Sequence, residues 1–267
     1  MIRKPRFAHD WYPGDPERLR SALRCYIGDA VSEKRVRGIV VPHAGYVYSG
    51  AVAGETYARI RVPDVVVVLC VNHRGTGAQA ALMGSGSWET PLGLVPIQVD
   101  FCSELLKNIP LLKDDPSAHQ REHSLELHLP FLQFKNDRIQ LVPICLQHLT
   151  YPDCETLGKG IAKTVRAFPE DVLLVASTDM THFESQKVAR DLDKLAIDRI
   201  LSLDPKGLYE VVQKRKISMC GVIPTTSVLC ACRELGATRG ELVRYATSGD
   251  VSGDSSNVVG YAGALIP

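Results

Sequence analysis

Apolar positions along this chain follow two alternating patterns. Short continuous runs at 38–42, 64–71, 139–146 and 171–176 are rich in β-branched residues, as strands covered on both faces require. Between them lie stretches with helical spacing at 49–60, 101–109 and 155–167. Asp15 and Pro16 form a helix start signal, and Leu19, Leu23 and Tyr26 continue it as an apolar stripe. Asp204 and Pro205 repeat that start after a long polar-faced helix at 184–201. A further helix at 225–235 should stop at Gly236, and ELVRYAT and VVGYAGALI close the chain as strands. The alternation predicts an α/β fold with a mostly parallel central sheet sandwiched by helices. No linker, repeat or low-complexity tract interrupts it, so one domain over 1–267 is expected.

Composition narrows the class without naming a function. The 267 residues are enough for a substantial core, and the net charge of +1 gives no field to attract nucleic acid or an anionic membrane. The run Lys214, Arg215, Lys216 reads as a solvated helix end. The longest aliphatic run, 65–71, is too short to cross a bilayer, and MIRKPRFAHD does not read as a signal peptide. The eight cysteines show no CxxC and no framework spacing, so reduced thiols in a cytoplasm are expected. Cys70 and Cys145 lie inside strand runs and read as core. Cys230 and Cys232 read as helix packing.

Three histidines follow strand-like runs: His43 in VVPHAGY, His73 in LCVNHRG and His182 in ASTDMTH. Strand ends of open α/β sheets share one crevice, where loops carry chemistry. His43 and His73 on neighbouring strands could share a divalent ion, since neutral imidazole is the commonest transition-metal ligand. Cys220, followed by Gly221 and Pro224, is the leading third ligand; the plain alternative is a small buried residue. Two histidines and one cysteine would leave a coordination position open. Asp179 could orient His182 for acid–base work if a helix begins there, or could serve as a helix N-cap. REHSLELHLPFLQ lacks the HExxH order of zinc proteases. In it His123 could face the crevice, while His128 and the preceding His119 read as structural or exposed. The turn-rich SGDVSGDSS reads as an ordered connection.

These residues resemble the Memo family, including its microbial branch, protein B of the AmmeMemoRadiSam system. The likeness rests on WYPGD, VPHAGYVYSG, NHRG, EHSLELHLPFLQ, STDMTHF, Cys220-Gly221 and SGDVSGDSSNVVGYAGA, in that order. The family is similar in fold to class III extradiol dioxygenases, which hold Fe(II) with two histidines and a glutamate. The resemblance implies His43 and His73 as metal ligands, His182 as base, Glu122 and His123 lining the pocket, and Tyr46 close by. Cys220 stands where the dioxygenases carry glutamate; thiolate suits iron, zinc or copper.

Three readings follow. The first is an oxidoreductase of dioxygenase type, with Fe(II), zinc or copper on His43, His73 and Cys220. Its substrate contacts would include Tyr46 and Glu122, and its catalytic groups His182, Asp179 and His123. The second is a metal-binding protein without turnover that holds a small molecule or peptide in the crevice. The third is a metal-free hydrolase with Cys220 as nucleophile and His182 as base. A homo-oligomer is compatible with all three; nucleic acid and membrane partners are not expected.

Overall fold

The computed structural model describes residues 1–29 and 32–267. The continuous apolar runs form four adjacent parallel strands in the order Gly38–Val41, Val172–Ser177, Val65–Val71, Gln140–Leu146. Residues 65–70 are all fully buried, which explains why that run carries no alternation. The parallel core is extended antiparallel on both sides. Val258–Ile266 pairs with Gly38–Val41 and carries Glu241–Thr247, and Ala80–Leu82 pairs with Gln140–Leu146. A separate three-stranded sheet joins Ile2–Arg3, Ser87–Thr90 and Gly93–Pro96; its short strands left no readable pattern in the sequence.

Helices cover the sheet. Val222–Glu234 packs on the three strands 38–41, 172–177 and 65–71 and against Tyr151–Ala167. Tyr46–Ala58 packs on strands 38–41, 241–247 and 258–266. The Asp15–Pro16 signal opens the helix Pro16–Ile27, where the Asp15 side chain accepts from the Arg18 N–H and Leu19 and Leu23 are buried. Tyr151–Ala167 begins at a capping box of Thr150 and Asp153. Residues 178–181 are irregular and lead into the short strand His182–Glu184. The expected helix start at Asp179 is therefore absent: Asp179 is drawn into backbone contacts at the strand end, and the next helix is Gln186–Leu201, capped by Ser185.

Among the described residues, no helix is long and apolar enough to cross a membrane. A concavity of about 980 Å³ lies at the N-terminal ends of the parallel strands among Arg35, Asp64, Arg138 and Asp171. None of the histidines lines it. His43, His73 and His182 stand beyond the opposite ends of the strands.

Candidate metal centre

His43 and His73 each stand two residues beyond a parallel strand. Their strands are not neighbours, because Val172–Ser177 lies between and pairs with both. Two inter-strand steps put the backbones about 10 Å apart, yet the imidazole centroids close to 5.3 Å. Cys220 enters from the turn before helix Val222–Glu234. Its neighbour Gly221 is required by close approach, since a Cβ there would meet the Ser177 carbonyl oxygen at 2.3 Å. The Cys220 Sγ lies 3.3 Å from His43 Nε2. One donor atom from each of His43, His73 and Cys220 falls within 4.8 Å of the others.

Buried hydrogen bonds decide which nitrogen each histidine offers. Ser177 Oγ lies 2.5 Å from the Ser124 carbonyl oxygen, which carries no proton, so the hydroxyl must donate there. Ser177 Oγ is also 2.7 Å from His43 Nδ1 and 2.7 Å from His128 Nε2. Its single proton being used, both imidazoles must donate to it. His43 is thereby protonated at Nδ1, and its Nε2 lone pair faces Cys220. His128, protonated at Nε2, accepts the Tyr57 hydroxyl at Nδ1, 3.1 Å away. Burial, reinforced by His123 and His73, holds the His43 pKa well below the ordinary histidine value, and burial holds His128 at about 3.

His73 is set by a carboxylate. Glu122 Oε1 accepts from His73 Nδ1 at 2.9 Å and Oε2 accepts the His73 backbone N–H at 2.7 Å. Backbone N–H groups of His123 and Ser124 donate to Oε1 as well. Burial alone would raise the Glu122 pKa, but the His73 hydrogen bond and the nearby imidazoles outweigh it and hold it at about 2. An ionised Glu122 fixes the proton on His73 Nδ1 and leaves Nε2 as the lone-pair donor.

Several expected roles change. Glu122 is 1% exposed with its carboxylate turned to His73 and the backbone, so it orients a histidine rather than lining the pocket for a ligand. Tyr46 is buried among Tyr12, Tyr26 and Phe131, and its hydroxyl donates to the Leu127 carbonyl at 2.7 Å. That bond ties the helix after His43 to the segment around Leu127. Asp179 does not orient His182. Its Oδ1 accepts the His43 backbone N–H at 2.8 Å, and its own N–H points to Cys220 Sγ at 3.2 Å. Burial raises the Asp179 carboxyl to about 6. His182 is held by Ser218, whose carbonyl accepts from Nδ1 at 2.9 Å while its hydroxyl accepts the backbone N–H at 2.7 Å.

His123 stacks on His73 at 4.6 Å, under Trp11 at 4.5 Å and Phe7 at 5.5 Å. Burial lowers its pKa to about 4, with Glu122 opposing. His128 and His119 are both buried rather than exposed. His119 sits near Cys70 and Cys145, which oppose each other on adjacent strands, in a second, wholly buried group of donors. Ser177 at a strand end, Ser218 between two helices and Tyr57 in the last turn of a helix carried no signal in the sequence, because lone serines and tyrosines at such places are too common to single out.

A cavity of about 510 Å³ opens over His73 and Cys220, and its wall includes Asn72, Arg74, His148 and Ile223. Two imidazole nitrogens and a sulfur suit a borderline or soft transition metal and leave room for a further ligand.

The chain matches the model of the Memo-like protein family over residues 3–265. The chain belongs to the Memo family. This Memo-like chain is 39% identical to a MEMO1 family protein of Methanothermobacter thermautotrophicus, with 98% of this chain and 99% of that protein aligned. It is 41% identical to one from Methanopyrus kandleri, over 98% of each. Among solved structures, an uncharacterized Escherichia coli K12 protein is similar at a TM-score of 0.59 and 13% identity, over 86% of this chain and all of the other. That last likeness concerns the fold.

Proposed function

We propose that this Memo-like chain is a single-domain cytoplasmic protein that holds one transition-metal ion through His43 Nε2, His73 Nε2 and Cys220 Sγ. The single observation that carries the reading is the convergence of these three donors within 4.8 Å. Both imidazole tautomers, set from behind by Ser177 and Glu122, support it. Fe(II) is the proposed native ion, with zinc and copper as the other metals the donor set admits. Bound there, iron would supply Lewis-acid and redox chemistry to a small molecule in the cavity.

The chain's own residues account for the rest. The thiol of Cys220 is pushed up by burial and by Asp179 beside it, so a metal must displace its proton. The helix N-terminus at Gly221–Val222 favours the thiolate that results. His182, with Nδ1 engaged by Ser218, keeps Nε2 for proton transfer, and His123 forms the stacked wall next to His73. Asp179 holds the His43 backbone in place. The metal-free hydrolase reading fits less well, because burial raises rather than lowers the Cys220 thiol and its imidazole neighbour is His43, not His182.

The test is metal content of protein purified without chelators and then offered Fe(II) anaerobically. The reading expects about one equivalent in the wild type, lost when His43→Ala and Cys220→Ala are combined. Equal retention by the double variant would overturn it.

A further inference from the structure

We propose that the pocket of Arg6, Arg74 and Arg121 is an anion subsite beside the candidate metal centre, built to take the phosphate or carboxylate group of a ligand that lies in the cleft. This rests on the reading of the cleft as a ligand site, not on the identity of the metal.

The pocket measures about 470 Å³ and is lined by Arg6, Phe7, Arg74, Thr76 and Arg121. Arg74 also lines the 510 Å³ cavity over His73 and Cys220, so the two spaces share a wall. In sequence, Arg74 follows His73 and Arg121 precedes Glu122. The residues that orient the metal ligand therefore also place two of the guanidinium groups. Among the described residues, none of the three arginines takes part in an ion pair, and it is their gathering at one concavity beside the candidate metal centre that sets them apart from the other unpaired surface arginines. The nearby carboxylates are already engaged. Glu122 is committed to His73, Glu126 to Arg3, and Asp115 to Ala78 and Ser117.

Arg6 and Phe7 are held rather than loose. Their backbone N–H groups donate to Glu126 at 3.0 and 2.9 Å, and Glu126 is itself buried against Arg3 and the Tyr12 hydroxyl. This anchor lays the N-terminal segment against His123, with Phe7 edge-on to that imidazole and to Trp11. Three unpaired guanidinium groups at one concavity repel one another unless an anion joins them. Their planar forks match phosphate and carboxylate oxygens. The aromatic side chain of Phe7, with Trp11 packed edge-on to it, adds a flat apolar flank, so the fitting ligand carries an anionic group on a planar body.

The experiment uses phenyl phosphate and benzoate as probes and benzyl alcohol as the neutral control. Trp11, 36% exposed and packed edge-on to the pocket-lining Phe7, reports binding by fluorescence, since the chain's other tryptophan, Trp88, is fully buried. Calorimetry gives the affinity independently. Both anions should bind saturably and in a salt-sensitive way, with benzyl alcohol much weaker. Arg74→Gln with Arg121→Gln should weaken binding by about tenfold or more, the scale of lost charge-assisted hydrogen bonds. All three arginines are on the surface, so these variants are expected to fold, which a thermal melt checks. Binding should survive in Cys220→Ser without metal, so the subsite stands or falls apart from the metal reading. No saturable binding, equal binding of the neutral control, an unchanged affinity in the double variant, or binding confined to metal-loaded protein would each overturn the proposal.

Discussion

Glu122 grips His73 at two points, taking the ring Nδ1–H on one carboxylate oxygen at 2.9 Å and the backbone N–H on the other at 2.7 Å. Ring and main chain are thus fixed together, and the Nε2 lone pair is aimed rather than free to rotate. Glu122→Gln would turn an amide group toward N–H donors and lose the charge. Metal affinity should fall about 10- to 100-fold, as for other carboxylates behind histidine ligands. A competitive titration against a chromophoric chelator checks this; an unchanged affinity would remove Glu122 from the account.

Ser177 is the corresponding support for His43, and it serves His128 as well. Ser177→Ala leaves two buried imidazole N–H groups without an acceptor. The expected cost is about 1–3 kcal/mol of stability per orphaned group, read from denaturant melts. The metal-bound fraction should fall together with it, because His43 loses the bond that selects its tautomer. A variant as stable as the wild type would show that another group accepts these protons.

Metal binding should depend on pH through Cys220. Its thiol is held above its ordinary value by burial, so at neutral pH each metal bound releases a proton from sulfur. The logarithm of the apparent affinity should rise by about one for each pH unit between roughly pH 6 and 8. Cys220→Ser should flatten the slope as well as weaken binding. A pH-independent affinity in the wild type would exclude the thiolate as ligand.

Folding stability should fall as pH drops below the ordinary histidine range. Burial holds His128 at about 3 and His119 and His123 at about 4, below the value of 6.5 they have when unfolded. Between these values the unfolded chain takes up protons that the folded chain excludes, so acid favours unfolding. Thermal melts of metal-free protein should show the melting temperature decreasing from about pH 6.5 to 4. A flat profile across that window would mean that these histidines accept protons while folded.

The parallel core was legible because burial on both faces leaves an unmistakable record, as in Val65–Val71. So were His43, His73 and Cys220, since strand ends and a glycine-linked turn mark where a crevice forms. The order of strands was not: nothing in the runs themselves places Val172–Ser177 between the two histidine strands. The supports were also hidden. Glu122 and Asp179 were recognised as chemical, but their partners depend on where three separate loops meet. Asp179 turned to the His43 backbone, and His182 found Ser218, a residue thirty-six positions away. His128 looked like one more polar residue in a leucine-rich segment, and only the shared Ser177 oxygen gives it a part.

X-ray absorption on zinc-loaded protein tests the central claim most directly. The account predicts a first shell of one sulfur at about 2.3 Å and two imidazole nitrogens at about 2.0–2.1 Å, completed by a light atom. Two sulfurs with one imidazole would move the ion to Cys70, Cys145 and His119, and a shell without sulfur would contradict the proposed ligand set outright.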